Sequence, residues 1–133
     1  MSPTQRSLHH LRETGWTVAK VEYWLAPACR RVDIWRFGDL LACKPDGRPT
    51  LVQVTTGSHV SGRVEKARKN AGPLVAWLLS GGMLVVHGWA KRGPRGEPKH
   101  WTLREVSLSL TDLTDRQGEE TEKNRREQAE RTA

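Results

Sequence analysis

A chain of 133 residues is long enough for one domain with a modest core, and its formal charge of +7 and pI near 10 point to a polyanionic partner such as nucleic acid. Two cysteines, Cys29 and Cys43, make neither a disulfide framework nor a zinc pattern, and no run reaches the ~18 apolar residues of a membrane span. With no leader pattern before the first helix, the expected setting is the cytoplasm, with both thiols reduced and no membrane partner.

In chain order the pattern predicts helix, three strands, helix, two strands and a tail. Ser2 caps a first helix, with Pro3 at its first position and Gln5 placed to close a capping box. Leu8 and Leu11 face the core there, and Gly15 ends the helix. Residues 16–25 read as one strand, bounded by Pro27 and the basic pair Arg30 and Arg31. Residues 37–42 and 51–56 read as the next two, joined by a hairpin turn at Asp46-Gly47. Gly57-Ser58 then leads into a helix over residues 59–70, with Ser58 as its N-cap and Gly72-Pro73 near its end. Residues 74–79 extend that helix or form a short one, and Gly81-Gly82 breaks it. Residues 83–90 and 101–108 read as two more strands around a basic loop at 91–99. The domain is therefore expected at 1–110, and 111–133 reads as a charged tail, disordered or a solvated helix. Residues 112–133 carry five Lys/Arg and seven Asp/Glu, which leaves 17 positive and 8 negative side chains on the other 111 residues. The folded part is more basic than the whole.

The second and third strands each bury one polar side chain in an apolar run, Asp39 and Gln53. An unpaired buried carboxylate costs several kcal/mol, so such an Asp has a cation or a donor beside it. A turn centred at Asp46-Gly47 sets residue 39 next to residues 53 and 54. A carboxylate and an amide oxygen side by side suit a hard divalent ion. On the second helix, Val60, Val64, Ala67 and Ala71 form an apolar stripe. Arg63, Lys66 and Asn70 flank it, whereas Glu65, Arg68 and Lys69 lie farther round. Arg63 and Lys66 are thus placed to lean over the sheet towards Asp39 and Gln53.

Other residues read more plainly. His9, His10 and His100 lack metal-ligand spacing. His87, inside an apolar strand, reads as a hydrogen-bonded core or interface histidine. The six tryptophans read mostly as core, with one or two left for a dimer face or for stacking on unpaired bases.

The order helix, three-stranded meander, helix, two strands, with Asp39 on the second strand and Gln53-Val54-Thr55 on the third, resembles the PD-(D/E)xK nuclease superfamily over residues 5 to about 108. Its compact size is most like archaeal-type Holliday junction resolvases and their phage relatives. The resemblance implies a restriction-endonuclease-like α/β core, a mixed sheet flanked by helices. Asp39 matches the family's acidic position, Gln53 stands where a second acid usually stands, and Thr55 stands where a lysine does. It further implies Mg²⁺, or Mn²⁺ in its place, held by Asp39, the Gln53 side-chain oxygen and the Val54 carbonyl. Glu13 resembles an acid that several members carry on the first helix, and Glu22 or Asp33 is an alternative for completing the shell. Arg63 or Lys66 would replace the missing lysine, as in members that carry it on the following helix. The implied function is a metal-dependent endonuclease acting on branched or four-way DNA as a two-fold homodimer, in a cell or a phage host's cytoplasm. Gln53 and Thr55 depart from the pattern, which leaves a second reading: an inactive DNA-binding module on the same fold.

Overall fold

A computed structural model describes residues 1–113 and 126–129. It is a mixed α/β domain with a five-stranded mixed sheet flanked by helices. Helix α1 (Pro3–Glu13) begins with the expected capping box, in which Ser2 and Gln5 satisfy each other's backbone N–H groups. Gly15, at φ +93°, turns the chain out of it. Strand β1 (Thr17–Lys20) pairs antiparallel with β4 (Leu40–Cys43), and β4 pairs antiparallel with β5 (Thr50–Thr56) through the turn closed by Gly47 N–H on the Lys44 carbonyl. Helices α2 (Val60–Lys69) and α3 (Ala71–Leu79) cross to β6 (Met83–Arg92), which lies parallel to β5, and β7 (His100–Leu108) returns antiparallel. The sheet order is β1-β4-β5-β6-β7.

Side-chain alternation divides the core between the two faces of this sheet. Leu51 and Leu84 pack with Ala67 and Leu74 under α2 and α3. Val52, Val54 and Trp89 pack with Leu11 under α1. Both central strands are covered on both faces, so they read as nearly continuous apolar runs.

Three expectations are corrected. Residues 16–25 are not one strand. β1 stops at Lys20, and Tyr23–Leu25 (β2) forms a separate hairpin with Arg30–Val32 (β3) across a 3₁₀ turn at Ala26–Ala28. Cys29 closes that turn at φ +49°, a left-handed conformation that no glycine announced. Ser58 does not cap α2, because the chain enters through a 3₁₀ turn at Gly57–His59 and His59 takes the cap position without a side-chain bond. Finally, only three of the six tryptophans belong to or pack against the core. Trp89 alone is buried among the six, Trp16 and Trp77 are half-buried, and Trp24, Trp35 and Trp101 are exposed. Trp101 instead meets two cations, with the Arg6 guanidinium 4.0 Å and Lys91 Nζ 5.4 Å from its ring centre.

The expected boundary after residue 110 falls within a helical turn at 110–113, where Leu113 joins the α2–α3 core. Most of the expected tail lies outside the described residues, and within it 126–129 are helical. No described helix is long and apolar enough to cross a membrane.

Candidate functional site

Asp39 owes its position to the turn before it. Ile34–Phe37 folds back on itself, with Phe37 N–H on the Ile34 carbonyl at 3.0 Å and both central residues, Trp35 and Arg36, at positive φ (51° and 67°). That is the geometry of a type I′ turn, built without the glycine or asparagine that usually serves it. Gly38 then presses against β5. A Cβ there would stand 3.0 Å from the Leu51 side chain, so a larger residue would need that side chain to give by a few tenths of an ångström. The Asp39 N–H bonds the Val52 carbonyl at 3.0 Å, just beyond the Leu40–Val52 pair that ends the β4–β5 register, and this holds residue 39 beside residues 53 and 54.

The expected neighbours meet. Asp39 Oδ2 accepts from Gln53 Nε2 and from the Val54 N–H, each at 2.8 Å, and Asp39 and Gln53 are 5% and 3% exposed. Gln53 therefore acts here as a donor, a role the sequence reading did not give it. Its Oε1 is buried with no hydrogen-bond partner. Residues 52 and 54 face the same neighbouring strand, so the Val54 carbonyl points to the side on which its N–H meets Asp39.

Both groups line a cavity of about 270 Å³ with Glu22, Asp33, Arg31, Arg63, Lys66 and Thr4. Burial raises the Asp39 carboxyl from 3.8 to about 7, against the lowering effect of the Val54 N–H. The charges of Glu22 and Asp33, and a hydrogen bond shared with the Glu22 carboxyl, push the same way. Around this acidic centre stand cations. Arg31 Nη1 donates to Glu22 Oε1 at 2.9 Å, and Lys66 Nζ lies 4.0 Å from Asp33 Oδ2.

The structure thus brings together Asp39, Gln53, Val54, Arg63 and Lys66, with Glu22 and Asp33 beside them. Thr55 faces an adjoining hollow that shares Arg31, Val54 and Arg63 with this cavity. Glu13 is not part of it; it lies exposed on α1, 3.0 Å from His9 Nε2. Arg31 and Thr4 were missed as site residues. The signal for Arg31 was only that it is a cation beside a turn, since the hairpin that carries it to Glu22 was not legible. Among the described residues, no three His, Cys, Asp or Glu side chains converge in ready-made ligating geometry.

The other face of the sheet holds a separate polar cluster under α1. His87, 1% exposed, shares a hydrogen bond between Nδ1 and the Ser7 hydroxyl (2.9 Å) and sets Nε2 3.3 Å from Glu105 Oε1, while Trp89 Nε1 donates to Ser7 Oγ. This agrees with the hydrogen-bonded core histidine expected at 87. Burial, and then the nearby His10, lower its pKa from 6.5 to about 4. Ser7 is fully buried and spends its hydroxyl on these two partners, so it offers no nucleophile.

No family model matches the chain, and no curated protein or solved structure matches it either.

Proposed function

We propose that the Asp39 cavity is the site of a metal-dependent, structure-selective DNA endonuclease of the PD-(D/E)xK type, in the manner of a Holliday junction resolvase. The observation that carries this reading is the buried, partnerless Gln53 Oε1 lining a cavity with Asp39, whose carboxyl is raised first by burial and then by two further carboxylates. An acceptor and several acids held together out of water fit a hard divalent cation. The strand order supports the reading too: an antiparallel meander, a helical crossover to a parallel strand, and an antiparallel return, with the acid immediately before the meander's second strand.

In this proposal Asp39, the Gln53 side-chain oxygen and the Val54 carbonyl would hold Mg²⁺ or Mn²⁺, with Glu22 or Asp33 completing the set. Such an ion supplies an acidified water and offsets charge on the reacting phosphate. The chain's own residues do the rest. Gln53 Nε2 and the Val54 N–H hold the Asp39 carboxylate in one orientation. Arg63 and Lys66, at the cavity edge, supply the positive charge that Thr55 cannot, and are placed to neutralise the phosphate oxygens. The basic domain draws in the DNA backbone. Symmetric cuts in two strands call for a two-fold dimer.

A second reading has an observation of its own. Gln53 Nε2 already satisfies Asp39 within the protein, as an inactive DNA-binding module would need. Incubation with a four-way junction and a matched linear duplex, with and without Mg²⁺ or Mn²⁺, separates the two. The nuclease reading expects metal-dependent cutting of the junction that Asp39→Asn abolishes while binding stays nearly intact, because phosphate contacts supply most of the affinity. Cutting undiminished in Asp39→Asn removes the site. Tight binding with no cutting in either metal makes the inactive module the better account.

A further inference from the structure

The hairpin that the sequence concealed stands beside the cavity and carries the protein's most exposed indole. In its register Trp24 lies directly opposite Arg31, so both side chains rise from one face. The neighbouring pair, Tyr23 opposite Val32, rises from the other face, as does Leu25. On that second face Leu25 and Val32 are half-buried, while Tyr23 is 58% exposed. The Trp24 face is open: Trp24 is 60% exposed and the Arg31 side chain 67%. Arg31 uses one guanidinium nitrogen on Glu22 and keeps other N–H donors for solvent or a ligand. It also lines both the Asp39 cavity and the adjoining hollow, which Lys20 shares.

The hairpin itself carries charge of one sign, although Glu22 and Asp33 flank it and Glu22 holds Arg31. Residues 23–32 contain two arginines and no acid, on a domain whose first 111 residues carry 17 positive and 8 negative side chains. A planar aromatic surface beside an arginine, with cations leading away from it, matches a base with its phosphates better than it matches an apolar protein face. We propose that the Trp24 face is a stacking platform for one unpaired base. Arg31 and Lys20 hold the flanking phosphates, so the protein prefers DNA with bases out of the stack to continuous duplex. This rests on the reading of the Asp39 cavity as a site for DNA phosphates, and it adds the feature of the substrate that the cavity does not recognise. A continuous duplex hides its base faces, whereas a branch point or a single-stranded gap offers them.

The test is binding in EDTA, where cutting plays no part. The probes are a duplex with a short single-stranded gap carrying 2-aminopurine, and the same duplex fully paired. Wild type should bind the gapped DNA more tightly and quench its 2-aminopurine. Trp24→Ala should lose about 10-fold or more on the gapped DNA, together with the quenching, and less than about threefold on the paired duplex. Trp24→Phe should restore most of the difference, and Tyr23→Ala, on the opposite face, should behave as wild type. Equal losses on both DNAs in Trp24→Ala would overturn the proposal, as would unchanged binding to both. A change in sedimenting mass with unchanged base quenching would assign the face to a second copy of the chain. The two readings fail separately. If the wild type binds in this way but never cuts, the platform stands and the nuclease site falls. If it cuts a junction normally while Trp24→Ala binds both DNAs as wild type does, the reverse holds.

Discussion

Gln53 turns its amide nitrogen to Asp39 Oδ2 at 2.8 Å and leaves its oxygen buried with no hydrogen-bond partner. The pair is therefore half satisfied. An unmet buried acceptor costs on the order of 1–3 kcal/mol, so this corner is strained in favour of any donor or cation that can reach the oxygen. Gln53→Glu converts the donor into a second acid against Asp39. Without divalent metal the variant should lose roughly 1–3 kcal/mol near pH 8, because two carboxylates then face each other in a buried site. Saturating Mg²⁺ should restore its melting temperature more than it raises that of wild type. Equal Mg²⁺ responses in the two proteins, followed by differential scanning fluorimetry, would show that residue 53 does not touch the ion.

The cations of α2 are now distinguishable by place. Arg63 and Lys66 line the cavity, Arg68 bonds Glu65 at 3.0 Å, and Lys69 is exposed. If Arg63 or Lys66 stands in for the lysine absent at Thr55, its Ala variant should lose at least ~100-fold in single-turnover cleavage at saturating enzyme. Lys69→Ala should keep that rate and at most shallow the salt dependence of binding by about one unit. Small, equal losses in all three would leave the cavity with no catalytic cation.

Legibility followed local punctuation. Asp39 and Gln53 were readable as partners because two apolar runs flank Asp46-Gly47, and a period of two fixes who stands opposite whom. The β2–β3 hairpin was hidden because its turn ends on Cys29 and the break after Lys20 has no glycine or proline. With it went the arrival of Arg31 beside Glu22, and the convergence of Glu22 with Asp33. The exposed tryptophans failed for a different reason. Amino-acid type favours burial on average, and which indole stays out depends on tertiary neighbours that no window of sequence contains.

The turn before Asp39 gives a stability test. Arg36 sits at φ +67°, where a non-glycine residue pays on the order of 1 kcal/mol. Arg36→Gly removes that strain but makes the unfolded chain freer, by about 0.4–1 kcal/mol, so the net gain should be at most several tenths of a kcal/mol. The melting temperature should hold or rise by up to roughly 3 °C. A fall would show that the Arg36 side chain holds the turn by contacts that outweigh its backbone strain.

Asp39 and His87 sit on opposite faces of one sheet, and burial drives their proton affinities in opposite directions. The native Asp39 keeps a proton that the unfolded chain has released above 3.8, so its contribution to stability is full below that value and is lost as pH rises towards about 7. The native His87, with His10 and Glu105 facing it, refuses a proton that the unfolded chain accepts below 6.5, so its contribution is lost as pH falls towards about 4. Between those limits one group releases on unfolding about what the other takes up. In metal-free buffer the wild type should melt at nearly the same temperature from about pH 4.5 to 6.5, as far as these two groups decide it. Asp39→Asn should tilt that plateau so that melting rises with pH, and His87→Gln should tilt it the other way. The sheet thus behaves as a proton balance, with unfolding made nearly indifferent to acidity by two buried groups that never touch.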